Sequence, residues 1–241
     1  MKKKNFFLIA VILILIALVV NAFFIFRSVN KYKKGEESYD SIKQIAKKET
    51  TDTKEPSVDF DALEKINPDV VGWLKMENTV IDYPVVHGKD NDYYLDHIFD
   101  GTHYTFGTIF IDFRNRPVFE DDITVIYGHA MLDGSMFKSL EQFESQSYAD
   151  EHQEFSFETR EHKYRLEPFA GKIVDAQIPF LELDFDSNED YLKYLQGFID
   201  TSTFKSNVKV SGSDKVVMMI TCSHDFEEAR YVLLSKVVEI S

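Results

Sequence analysis

Three side chains scattered along this 241-residue chain could together make and break an acyl bond: Cys222, His129 and Arg230. Cys222 is the only cysteine, so no intramolecular disulfide is open to it. Only the thiolate is a strong nucleophile, and a free thiol with a pKa of ~8.5 is mostly protonated at neutral pH. Cys222 therefore needs a base or a cation beside it. A lone cysteine is commonly a buried, inert packing residue. In an exported protein, however, an unpaired thiol is a liability, open to oxidation and wrong pairing.

Seven histidines could supply the base. His129 follows the apolar run 123–127 and Gly128, at the end of a strand, where a rigid frame can hold a reactive ring. The plainer alternative is a turn histidine bonded to backbone. His224 is the rival: two residues past Cys222, it would share a face with it in an extended chain. The polar segment 223–228 reads as a loop, which breaks that alternation. His87, His97, His103, His152 and His162 lie in polar or turn contexts and are expected on the surface. Arg230 opens an apolar run. It is either a surface partner of Glu227 or Glu228, or a clamp for a developing oxyanion, which a planar, permanently charged guanidinium suits. Asp225 is near Cys222, but nothing in the sequence joins it to His129 as the third member of a papain-type triad.

The elements that must position these groups are mostly strands. With 21 Phe and 12 Tyr the composition leans towards β structure, and 44% hydrophobic content supports a packed core. Short apolar runs bounded by turn residues predict strands over residues 70–74, 79–86, 107–113, 123–127, 154–158, 163–174, 216–220 and 231–238. Helical spacing predicts helices over 59–66 (Phe60, Leu63, Ile66), 135–143 (Met136, Leu140, Phe143) and 188–199 (Tyr191, Leu195, Phe198). Asp186 or Ser187 caps the last of them.

Residues 6–26 are apolar except for Asn21. At ~1.5 Å per residue that run is long enough for a bilayer core of ~30 Å. It lacks the small-residue cleavage site of a secretory leader, which predicts an uncleaved signal anchor. Lys2, Lys3 and Lys4 stand on one flank and Arg27, Lys31, Lys33 and Lys34 on the other, so charge alone leaves the orientation near a tie. The first 34 residues hold all seven of these cations and no acid; the other 207 hold 20 basic and 41 acidic residues, a net charge of -21. Such acidity argues against nucleic acid as a partner of the soluble part. Residues 31–58 read as a polar stalk, helical or disordered.

Four stretches then occur in order. The first is Asn67-Pro-Asp-Val-Val-Gly-Trp73-Leu, leading into Ile81-Asp-Tyr-Pro-Val-Val86. The second is Asp90-Asn-Asp-Tyr-Tyr-Leu95, followed by Gly107-Thr-Ile-Phe-Ile-Asp112. The third is Tyr127-Gly-His129-Ala-Met, continuing to Gly134-Ser-Met-Phe-Lys-Ser-Leu140, and the fourth is Thr221-Cys222 with Arg230 eight residues on. Together they resemble the class B sortases, membrane-anchored cysteine transpeptidases of Gram-positive bacteria. One departure is Met218-Met219, where the family has Thr-Leu before Thr-Cys; Met for Leu conserves volume.

The resemblance implies a mainly β fold: a closed sortase-type barrel of about eight strands with peripheral helices, plus an N-terminal transmembrane helix. It divides the chain into a cytoplasmic tip and signal anchor (1–30), the stalk (31–58) and an extracellular catalytic domain (59–241), in a single-pass protein of the cell membrane. It gives catalytic roles to Cys222, His129 and Arg230, and substrate contacts to Asn91, Leu95 and Tyr127. The implied partners are secreted proteins with a C-terminal sorting motif, cleaved after Thr, and an amine of a peptidoglycan precursor. No cofactor is implied, and no metal: the class A calcium site is not recognisable and the carboxylates do not form an EF-hand loop. Two other readings stay open from the residues: a related cysteine peptidase that passes the acyl group to water, and a non-catalytic anchored β domain that binds a wall ligand. The sorting motif is not legible; relatives use Asn-Pro-type, Leu-Pro-like or Ser/Pro-Pro-x-Thr-Gly-like sequences.

Overall fold

The computed structural model describes residues 2–48, 57–116, 118–177, 179–222 and 229–240. The chain divides into two compact units, Met1–Ser41 and Ile42–Ser241. Helix α1 (Lys2–Ala46) makes up the first and ends in the second. Its stretch Phe6–Arg27 is long and apolar enough to cross a membrane. The helix continues through the first part of the polar segment, whose Lys, Glu and Gln are good helix formers. In the second unit Ile42 and Ala46 are buried, and the Lys43 ammonium lies 5.1 Å from the centre of the Tyr83 ring.

Eight strands close into a barrel: β1 (Val70–Lys75), β2 (Asp82–Val86), β3 (Ile109–Ile111), β4 (Ile123–His129), β5 (Phe155–Glu158), β6 (Lys163–Asp175), β7 (Val216–Cys222) and β8 (Ala229–Glu239). Their spatial order is β8-β6-β5-β1-β2-β3-β4-β7, with β7 returning to β8. Two neighbouring pairs are parallel: β2 with β3, where Val85 faces Ile109, and β4 with β7, where Ile123 faces Val216. Parallel neighbours need a crossover connection. Residues 87–108 supply the first; the return through β5, β6 and helix α4 (Asn188–Asp200) supplies the second. The remaining helices, α2 (Phe60–Glu64) and α3 (Gln146–Glu151), are short.

The central strands are apolar on both faces, and α4 is the reason. In β4 and β7 one alternating set, Thr124, Ile126, Val217 and Met219, fills the barrel interior. The other set, Ile123, Val125, Val216, Met218 and Ile220, packs against Tyr191, Leu195 and Phe198 of α4 (Asn188–Asp200). Ser187 caps α4, its hydroxyl accepting the Asp190 N–H at 3.2 Å. Tyr127, Leu181 and Leu183 pack at the margin of this outer cluster.

Several boundaries differ from the expected ones, each for a local reason. Strand β2 begins at Asp82, not 79: Asn78 takes a left-handed φ of 61° and the Thr79 hydroxyl donates to the Met76 carbonyl, which makes a turn. Strand β3 is only three residues long, because Gly107 before it also has a left-handed φ of 59°. Met136 is not helical. Its φ is 57°, its N–H donates to the Tyr83 hydroxyl at 3.1 Å, and the 3-10 helix Lys138–Glu144 starts after it.

Candidate active site

Strand register brings the distant residues together. In the parallel β4–β7 pair His129 stands opposite Cys222, the last residue of each strand. In the antiparallel β7–β8 pair Val232 stands opposite Ile220. Beyond that pair β7 ends at Cys222 and β8 begins at Ala229, so Arg230 stands at the same end of the two strands. The Tyr231 N–H bonds the Thr221 hydroxyl at 2.9 Å and so holds the two strands together at that point. Three neighbouring strands therefore carry His129, Cys222 and Arg230 to one end of the barrel. His224, Asp225, Glu227 and Glu228 lie outside the described residues.

His129 is 7% exposed. Its Nε2 lies 2.6 Å from the carbonyl oxygen of Leu95. A carbonyl can only accept, so Nε2 carries a hydrogen and donates it. Nδ1 is then the nitrogen that can gain or lose a proton without breaking that bond. A backbone carbonyl thus does for this imidazole what the asparagine amide oxygen does in a papain-type triad: it fixes the tautomer and the ring's direction. The His129 backbone is pinned as well, its carbonyl accepting the Phe137 N–H at 2.7 Å. Leu95 enters the site through that main-chain oxygen, which no side-chain pattern reveals.

Asn91 and Tyr127 converge on a residue to which sequence reasoning gave no role, Asp112. Its side chain is wholly buried at the end of β3. One carboxylate oxygen accepts from Asn91 Nδ2 (3.0 Å), Tyr127 Oη (2.9 Å) and Arg114 Nη2 (2.8 Å); the other accepts from Arg114 Nε (2.9 Å) and the Arg114 N–H (3.0 Å). Asn91 Oδ1 in turn accepts the Phe113 N–H at 3.0 Å. The polar tips of Asn91 and Tyr127 are therefore struts of the wall beside β4. Burial works against the Asp112 charge, but the Arg114, Tyr127 and Asn91 donors outweigh it and hold the carboxyl below the usual carboxylate range.

A carboxyl whose folded pKa is depressed contributes stability above its unfolded pKa, ~3.9, and loses it as pH falls through the folded value. Asp112→Asn is expected to cost about 2 kcal/mol at pH 7. That is below the usual range for breaking a buried charge pair, because Arg114 is half exposed. The loss shrinks below pH ~4, where the wild type protonates too. Calorimetric melting across pH 2 to 7 checks it; an unchanged gap at low pH would contradict the assignment.

The other histidines divide. His103, His152 and His162 are at or near the surface. His87 is not the solvated residue expected: it is partly buried, and its Nε2 is sealed from solvent with no hydrogen-bond partner among the described residues. His97 is partly buried too, its Nδ1 2.8 Å from the Tyr93 carbonyl and 2.7 Å from an Asp96 carboxylate oxygen. Among the described residues no group of three or more His, Cys, Asp or Glu has metal-binding geometry.

Thiol, imidazole and guanidinium are the residue types of covalent acyl transfer. Comparison with known proteins gives the same class. A model of the sortase domain matches residues 74–238. Sortase B of Listeria monocytogenes is 40% identical over 178 residues, covering 73% of this chain and 72% of that protein. Sortase B of Bacillus anthracis in complex with AAEK1 superposes with a TM-score of 0.78 at 30% identity, over 88% of this chain and 100% of that one. Staphylococcus aureus sortase B, solved with substrate and with triglycine, gives TM-scores of 0.72 at 34% identity; each match covers 76% of this chain, and 85% and 86% of those. The chain belongs to the sortase family. It is a cysteine transpeptidase with the closed eight-stranded barrel of the sortase B structures.

Proposed function

We propose that Cys222 is the nucleophile, His129 the general acid and base, and Arg230 the oxyanion clamp of a reaction that anchors secreted proteins to the cell wall. The Cys222 thiol passes its proton to His129 Nδ1, and the thiolate attacks the carbonyl carbon of the Thr in a C-terminal sorting motif, forming the C–S bond. The C–N bond breaks, and His129 gives its Nδ1 proton to the leaving amine. In the second half an amine attacks the thioester: a C–N bond forms, the C–S bond breaks, and His129 takes the amine's proton. Arg230 balances the oxyanion in both halves. The observation that supports this reading is the register of β4 and β7, in which residue 129 is opposite residue 222, with β8 starting at the same end of the barrel.

Asn91, Leu95 and Tyr127 form the wall that the motif lies against. With the tips of Asn91 and Tyr127 turned to Asp112, they offer the peptide ring surface and main chain rather than free polar groups. The acyl acceptor is an amine of a peptidoglycan precursor, by analogy with the triglycine bound to the S. aureus protein. The Phe6–Arg27 stretch crosses the membrane once, with Met1–Lys4 inside and the barrel, residues 59–241, outside.

Product analysis tests the acceptor. Full-length protein in detergent is given peptides of the three sorting-motif types, with and without triglycine. The expected product with triglycine is the peptide joined through its Thr carbonyl to the glycine amine. Free acid alone, at every triglycine concentration, would make the protein a hydrolase.

A further inference from the structure

The turn that presents the Leu95 carbonyl to His129 is itself held by two residues with no assigned role, Gly107 and Thr108. Every carbonyl of the turn from Tyr93 to His97 is occupied. That of Tyr93 accepts from His97 Nδ1 at 2.8 Å, and that of Tyr94 from the Thr108 N–H at 2.9 Å. The Asp96 carbonyl accepts the Tyr104 N–H at 2.6 Å, and that of His97 the Thr108 hydroxyl at 2.8 Å. Thr108, 1% exposed, thus grips the carbonyls on both sides of Leu95 and leaves the Leu95 oxygen turned to the imidazole.

Gly107 lets this happen at close range. A Cβ there would lie 2.5 Å from the Tyr94 oxygen, 2.8 Å from the Leu95 oxygen and 3.1 Å from His129 Cδ2. Its φ of 59° lies in the left-handed region, which side chains disfavour. Any larger residue must push aside the very carbonyl that His129 bonds.

Resting on the reading of His129 as acid and base, we infer that Gly107 and Thr108 are positioning residues of the transfer reaction: they hold the Leu95 carbonyl against His129 Nε2 and so reserve Nδ1 for proton transfer. Their effect belongs in kcat and in its pH dependence, not in KM.

The test uses full-length protein in detergent with 15N-labelled histidine. In the wild type the neutral His129 ring should be protonated at Nε2 in NMR spectra. Thr108→Val keeps the shape and removes the hydroxyl; kcat should fall roughly 10-fold with KM held within about twofold. The kcat–pH profile should move along the pH axis, and Thr108→Ser should restore it. Gly107→Ala displaces the carbonyl directly and should cost roughly 100-fold in kcat. A neutral wild-type ring protonated at Nδ1 instead of Nε2 would overturn the inference, and that spectrum decides even if a variant does not fold. So would Thr108→Val with wild-type kcat and pH profile, provided His129→Ala is inactive. Wild-type cleavage by His129→Ala would instead sink the parent reading.

Discussion

Cys222→Ala should lower the cleavage of a sorting-motif peptide by at least about 10⁴-fold, while circular dichroism and melting temperature stay close to wild type. Losing the nucleophile of a covalent mechanism removes the pathway rather than weakening one interaction. The fold should survive, because Cys222 is the last residue of β7 and the strand is held upstream. The pairs from Ile123–Val216 to Tyr127–Ile220 join it to β4, and those from Val232–Ile220 to Lys236–Val216 join it to β8. Met218, Met219 and Val217 are fully buried and keep their packing. Full cleavage by this variant would remove residue 222 from the mechanism.

His129→Ala should be the second most damaging change, about 10³-fold in kcat/KM, within the range for losing a general acid and base. Arg230 cannot substitute, since a guanidinium does not release its proton near neutral pH. His224 is the only other histidine close to Cys222 in sequence. If His224→Ala caused the large loss and His129→Ala did not, the base would be the wrong residue. A leaving group that needs no proton, such as an activated ester, should recover much of the first step in His129→Ala and none in Cys222→Ala. That contrast separates the two roles.

What the sequence disclosed, and what it hid, follows from the range of each interaction. The eight strands could be read from local alternation, and α4 from Tyr191, Leu195 and Phe198 at helical spacing, because those signals lie within a few residues. The turn at Asn78 and the left-handed Met136 shortened two elements, since one positive φ breaks a pattern without changing its hydrophobicity. Register was beyond reach: β4 and β7 pair in parallel across a crossover of more than eighty residues, and no local feature sets His129 rather than a neighbour against Cys222. The Leu95 carbonyl was hidden for a different reason. Every residue has one, so the third group of the site has no side-chain signature. Asp112 had a weak signal, an acid directly after an apolar strand, but its partners Asn91 and Tyr127 lie 21 and 15 residues away.

The most direct test is the rate at which a thiol-selective alkylating agent modifies the single cysteine as pH is varied, in wild type and in His129→Ala. A thiolate beside a protonated ring should react rapidly in the wild type from well below pH 7, while in the variant the rate should rise only as an ordinary thiol titrates, near pH ~8.5. Superimposable curves for the two proteins would mean that the imidazole of residue 129 does not act on the sulfur at all.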